Sequence, residues 1–189
     1  MRKRQSQDKN KEEKDFPGRK ILLGLDLFLI VAIILADQAI KHWLCSLFEE
    51  KGDIVLIDGI LELTYLKNTG GILGFLQNQM PFLLFIAGTL LCVAIYLLLK
   101  LPDKPRFRRL HPLFSCMLAG ALGNITDRLR WGYVIDFIYF SGIHFPVFNI
   151  ADILISASVV ILIGLLIFFY KEKDFEFLTF KQNRYRELK

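Results

Sequence analysis

Four apolar runs dominate the chain, at about residues 21–44, 81–99, 110–129 and 150–170. Each is close to the roughly 20 residues that a helix needs to cross the hydrocarbon core of a bilayer. The second run, Leu83-Leu84-Phe85-Ile86-Ala87-Gly88-Thr89-Leu90-Leu91 and onward to Leu99, has no polar face. A helix in a soluble bundle would show one. The hydrophobic share of 53% is gathered into these runs rather than spread along the chain. The expected fold is therefore a membrane all-α protein with four transmembrane helices, and its unit spans residues 21–170. The first run is too long for the 7–15-residue apolar core of a signal peptide, and Asp37 and Lys41 stand where small cleavage-site residues would be.

Lys and Arg set the expected orientation. The stretch over residues 1–20 holds Arg2, Lys3, Arg4, Lys9, Lys11, Lys14, Arg19 and Lys20, and the link between the second and third runs holds Lys100, Lys104, Arg106, Arg108 and Arg109. The segment between the first two runs has only Lys51 and Lys67, against Glu49, Glu50, Asp53, Asp58 and Glu62. Positive charge stays inside, so both termini and the second link are expected in the cytoplasm. The pI of about 9.1 then reflects flanks facing anionic lipid rather than nucleic acid. The leader over 1–20 is charged, poor in aromatics and expected to be disordered. The tail over 171–189 alternates Phe175, Phe177, Leu178 and Phe180 with charges, which fits an amphipathic segment on the cytoplasmic surface. Cys45, Cys92 and Cys116 have no metal-ligand spacing, no structural disulfide is expected among them, and no His sits at a matching depth to make a nucleophile of Cys92 or Cys116.

Two segments break the helical pattern. Residues 53–66 read as two short strands around Asp58-Gly59, a hairpin signal, so a small extracytoplasmic sheet is expected between helices one and two. Residues 130–148 form a loop rich in Trp, Tyr and Phe, which is expected to rest at the outer headgroup level.

Charged and polar residues collect near the outer ends of the runs. Asp37 and Lys41 are spaced i, i+4 and can pair. Gly120, Asn124 and Asp127 form one stripe on the third helix, with Arg128 beside it. Gly120 and Gly123 let another backbone approach. Asn149 stands three residues before Asp152, whose place in the first turn of the fourth helix suits an anion. A side-chain hydrogen bond from Asn149 is expected to fix Asp152. Asn68-Thr69-Gly70-Gly71 suggests tight backbone near a ligand. Asp136, within Val134-Ile135-Asp136-Phe137, and Asp152 are the two most telling acids. An ionised carboxylate at a helix centre costs about 2.5–3.5 kcal/mol on insertion scales. Two carboxylates that meet over one water are the machinery of an aspartic protease.

In order along the chain, five short boxes resemble those of the lipoprotein signal peptidases (signal peptidase II, the bacterial aspartic protease family A8). Asp37-Gln38-Ala39-Ile40-Lys41 is similar to D-Q-x-x-K, and Asn68-Thr69-Gly70 to N-x-G. The run from Gly120 to Arg128 is similar to G-A-x-G-N-x-x-D-R, Val134-Ile135-Asp136-Phe137 to V-x-D-F, and Phe148-Asn149-Ile150-Ala151-Asp152 to F-N-x-A-D. The chain departs from the family after N-x-G: where Ala-Ala-Phe is usual it has Gly71-Ile72-Leu73, with Phe75 displaced by two.

The resemblance implies that Asp136 and Asp152 are catalytic. It implies substrate-binding or supporting roles for Asp37, Lys41, Asn68, Gly70, Gly120, Asn124, Asp127, Arg128, Val134, Asn149 and Ala151. The implied substrate is a prolipoprotein whose cysteine already carries a diacylglyceryl group, cut on the amino side of that cysteine. Neither metal nor organic cofactor is implied, and the expected place is the bacterial cytoplasmic membrane, with membrane lipid as the surrounding partner and a monomer as the expected state. Two rival readings are a small proton-coupled transporter and a non-catalytic lipid-binding protein. The first lacks the internal repeat usual in transporters, and the second leaves the two aspartates without a role.

Overall fold

The computed structural model describes residues 18–70 and 79–178. Most of the basic leader, the loop holding Gly71, Ile72, Leu73 and Phe75, and Phe180 lie outside the described residues. The elements in chain order are α1 (Arg19–Lys51), β1 (Ile54–Ile57), β2 (Leu61–Asn68), α2 (Met80–Lys100), α3 (Leu110–Trp131), β3 (Val134–Tyr139) and α4 (Ile150–Phe168). Short 3₁₀ turns cover Pro105–Phe107, Ser141–Ile143 and Glu172–Leu178.

α1, α2 and α4 are long and apolar enough to cross a membrane. Their outward faces carry large exposed apolar side chains such as Phe28, Phe85, Leu90, Val160 and Phe168. Such surfaces are stable against lipid rather than water. α3 falls outside that apolar class for a physical reason. It packs against each of the other three helices, and its polar residues meet protein partners. Ten of its residues are buried, including His111, Ser115, Asn124 and Asp127. Two of its glycines fit this central place: a Cβ at Gly120 would stand 2.6 Å from the Ala151 carbonyl oxygen of α4. At Gly123 a Cβ would meet the Asp37 carboxylate at 2.7 Å, so this second approach is to a side chain of α1, not to another backbone.

The hairpin expected around Asp58-Gly59 is present. Gly59 has φ +65°, a conformation that other residues adopt at a cost, and β1 pairs antiparallel with β2. The sheet has a third strand, however. β3 comes from the segment read as an aromatic interfacial loop, and it pairs antiparallel with β2 in the order β1-β2-β3. Val134, Ile135, Asp136 and Phe137 are all buried, so this strand lacks the alternation that marks a half-exposed strand in a sequence. A bulge lies between Leu63 and Leu66: Leu63 pairs with Ile138, but Leu66 pairs with Asp136. One extra residue on β2 switches which of its side chains share a face with Asp136.

Two apolar clusters fix the two ends. Near the sheet, Leu44 and Phe48 of α1 pack with Phe137 of β3, and Leu63, Tyr65 and Ile138 border them. At the opposite end, Ala94, Leu98, Leu101, Phe107, Leu110, Phe114, Leu118 and Tyr170 form a second core. The described part of the tail packs onto this core. Phe177 meets Phe107 edge-on at 5.5 Å, Phe175 lies 5.7 Å from Tyr170, and Asp174 pairs with Arg106 at 2.9 Å.

Candidate active site

β3 delivers Asp136, and the first turn of α4 delivers Asp152. Both line a cavity of about 990 Å³ that opens beside the sheet. Asn68, Gly70, Asn124, Arg128 and Val134 also line it, with an apolar wall that includes Phe145, Phe148, Ile153 and Ile155.

Each carboxylate receives one neutral donor per oxygen. Asn68 Nδ2 donates to Asp136 Oδ2 at 2.7 Å, and Asn149 Nδ2 to Asp136 Oδ1 at 2.6 Å. Asn124 Nδ2 donates to Asp152 Oδ1 at 2.8 Å, and the Asn149 backbone N–H to Asp152 Oδ2 at 3.1 Å. Asn149 thus touches both acids. Its own side-chain oxygen accepts from the Asp152 backbone N–H at 3.0 Å, closing a reciprocal capping box at the start of α4. The expected bond from the Asn149 side chain to the Asp152 carboxylate is replaced by this arrangement. The side chain turns to Asp136, and the backbone holds Asp152.

Burial pushes Asp136 up to about 6. The Asn68 hydrogen bond opposes this, the Asp152 charge adds to it, and the bonds from Asn149 and the Lys41 charge oppose it further. Desolvation wins because Asp136 is 1% exposed and its hydrogen-bond donors are neutral. A carboxyl poised near neutrality beside a second carboxylate can hold or release one proton in working conditions.

Beneath the dyad lies a charged layer that does not line the cavity. Lys41 Nζ reaches Asp37 Oδ2 at 2.9 Å, Asp127 Oδ2 at 2.8 Å and Asn124 Oδ1 at 3.3 Å. An ammonium has three donors, and all three find an acceptor here. The bond to Asn124 has a consequence above it. With its oxygen held by Lys41 and by Asn149 Nδ2 at 3.2 Å, the Asn124 amide must aim its nitrogen at Asp152. Asp127 also accepts from the Ile135 backbone N–H at 3.3 Å, which ties α3 to β3 just before Asp136.

The remaining sequence-derived candidates fall around this core. Gly70 N–H donates to Asn68 Oδ1 at 3.1 Å and fixes its amide. Gly120 and Ala151 lie at the α3–α4 contact, where both are buried. Val134 is buried at the cavity wall, and Arg128 donates to the Asn124 carbonyl at 3.4 Å. Among the described residues, no three His, Cys, Asp or Glu side chains converge as metal ligands would.

Three features escaped the sequence reading. Gln38 donates to Asp127 at 2.7 Å and to Asp37 at 3.3 Å, a role its place inside the Asp37–Lys41 box hints at. His144, the one non-glycine residue with positive φ among the described residues, lines the cavity and bonds Tyr139 at 3.3 Å. A second buried cluster joins Asp26 to His111 at 2.6 Å and to Ser115 at 2.9 Å. The i, i+4 spacing of His111 and Ser115 is its only sequence signal.

A family model described as signal peptidase II matches residues 29–168. The lipoprotein signal peptidase of Clostridium tetani (strain Massachusetts / E88) is 32% identical over 155 residues, covering 80% of this chain and 96% of that protein. The lipoprotein signal peptidase of Streptococcus pyogenes serotype M1 is 36% identical over 157 residues, covering 83% and 98%. Two solved structures, each described as a bacterial membrane enzyme, superimpose with TM-scores of 0.65 and 0.67. Their identities are 28% and 30%. The matches cover 84% and 78% of this chain, and 94% and 95% of theirs.

Proposed function

The chain belongs to the signal peptidase II family, and we propose that it is an aspartic endopeptidase that removes signal peptides from diacylglyceryl-modified prolipoproteins. The bond cut is the one on the amino side of the lipidated cysteine. The observation that carries this reading is the matched pair: two carboxylates at one cavity wall, each held by two neutral donors and joined through Asn149.

The chemistry follows from one proton shared between two acids. Like charges held close resist ionising together, so one carboxyl stays protonated. The ionised partner takes a proton from a water molecule, whose oxygen attacks the scissile carbonyl carbon. The protonated partner donates to the carbonyl oxygen. As the tetrahedral intermediate collapses, the C–N bond breaks, the proton taken from water passes to the leaving nitrogen, and one hydroxyl returns a proton to the carboxylate that had donated to the carbonyl oxygen. The products are a signal peptide with a new carboxyl terminus and a lipoprotein with a free amino group on its cysteine. Arg128 at the cavity wall is placed to hold a substrate carbonyl, and the apolar wall suits acyl chains and the signal helix.

In this reading α3 is the fourth span, sheltered from lipid by its neighbours. The Lys/Arg asymmetry supports cytoplasmic termini, and the aromatic residues over 130–148 support a dyad near the outer surface. The catalytic unit is residues 21–170. The test is a gel-shift assay with purified protein and paired precursors, one diacylglyceryl-modified and one not. The modified precursor is cleaved, and the unmodified one is a poor substrate, because burying acyl chains contributes about 0.8 kcal/mol per CH₂. Equal cleavage of the two would overturn the lipid requirement, and a cysteine label at position 136 reacting only from the cytoplasm would overturn the topology.

A further inference from the structure

At the end of the bundle away from the dyad, two cations share one aromatic ring. The Arg109 guanidinium lies 3.9 Å from the Phe169 ring centroid and that of Arg106 lies 4.6 Å from it. Their circumstances differ. Arg106 pairs with Asp174 at 2.9 Å and also donates to the Phe169 carbonyl. Among the described residues no carboxylate lies within ion-pair distance of Arg109, which is exposed. The nearby acid Asp103 is already engaged by Arg108 at 3.4 Å and by the Arg19 backbone N–H at 3.1 Å. A cation stacked on a ring keeps its N–H edge free for an anion, and the guanidinium fork matches a phosphate.

The surface next to these guanidiniums is apolar. Phe168 and Ile167, in the last turn of α4, are 88% and 66% exposed. A soluble anion has no use for such a wall, whereas an amphiphile with a phosphate head and acyl chains fits both halves. We propose that Arg109, held over Phe169 beside Arg106, forms a binding site for an anionic phospholipid of the leaflet at this end, with its phosphate on the Arg109 guanidinium and its chains along Phe168 and Ile167. The site is independent of the reading of the dyad.

Native mass spectrometry of the full chain in detergent tests it, with phosphatidylglycerol and phosphatidylcholine titrated separately. Wild type retains phosphatidylglycerol more tightly than phosphatidylcholine. Arg109→Gln weakens phosphatidylglycerol binding about fivefold, since each basic group near an anionic surface is worth about that factor. Arg109→Lys, which keeps the charge but loses the fork, falls between. Lys104→Gln removes a charge at the same end but has no ring contact with Phe169, and it leaves retention unchanged. Unaltered binding in Arg109→Gln overturns the proposal. So does an equal loss in Lys104→Gln, which would mean a diffuse field, or displacement of the lipid by millimolar inorganic phosphate, which would mean a free-anion site.

Discussion

Two polar clusters are buried between the same two helices, and they differ in access. Near the sheet, α1 gives Asp37, Gln38 and Lys41 to Asn124 and Asp127 of α3. About 16 Å further down α1, by helical rise from Asp37, Asp26 meets His111 and Ser115 of α3. Both clusters are buried: Lys41 is 1% exposed and Ser115 is 0% exposed. Only the upper one passes its hydrogen bonds on, through Asn124, to a carboxylate that faces a cavity. The lower one closes on itself, and none of its residues lines that cavity. A buried titratable cluster therefore says little about chemistry until its outlet is known. Asp26 and Asp136 look alike in burial, yet only Asp136 lines the cavity.

The contrast is sharpest at the acids themselves. Asp136→Asn or Asp152→Asn lowers cleavage by about 10²–10⁴-fold, the usual contribution of a positioned acid or base, while insertion and melting stay near wild type. Turnover near the wild-type rate in either variant would refute the dyad. Lys41→Met comes next. It leaves Asp37 and Asp127 buried without their cation, which costs about 3–5 kcal/mol. It also frees the Asn124 amide, so thermal unfolding in detergent shifts down and activity falls with it. A variant that melts normally would refute the dependence of this layer on the Lys41 cation.

Asn68→Ala has a smaller effect with a distinctive direction. It lowers the cleavage rate about tenfold, within the range for one lost hydrogen bond to a charged group. The lost bond favours the ionised form of Asp136, so the alkaline limb of the pH–rate profile moves up. An unmoved limb would remove Asn68 from the control of Asp136. The same group shapes stability: burial pushes its carboxyl from the ordinary 3.8 up to about 6, so the folded state takes up a proton more readily than the unfolded chain. That contribution is fully present below about pH 4, is lost as pH rises towards 6, and is flat above. Asp26→Asn is the smallest in its effect on chemistry. It lowers the melting temperature by the equivalent of about 1–3 kcal/mol and leaves the cleavage rate at moderate temperature unchanged. A fall in rate matching that of Asn68→Ala would erase the distinction between the two clusters.

Much of the candidate site was legible because its residues violate the rules of their surroundings. A carboxylate, an amide or a lysine inside an apolar run is expensive, so Asp37, Lys41, Asn124, Asp127 and Asp152 stand out by type alone. Gly120 stood out too, and its close approach to the Ala151 carbonyl bears out the small-residue reading. The third strand was not legible. Its residues are buried on both faces, and a short buried apolar run carries no period to read. The Asp26 cluster was passed over because its partners come from segments 85 and 89 residues away, and no local pattern announces them.

The sequence by itself determined the hydrophobic architecture, the hairpin at Asp58-Gly59 and the polar residues placed where lipid would forbid them. These are local properties of composition and spacing, each readable within one run. Only the tertiary structure decided who meets whom. It set β3 against β2 with a bulge that turns Asn68 towards Asp136, and it gave Asn149 to both acids at once. It also placed α3 at the centre, which explains why the least apolar helix is the one that needs lipid least. Those outcomes depend on contacts between segments far apart in the chain, whose register is fixed by packing rather than by any single stretch of residues.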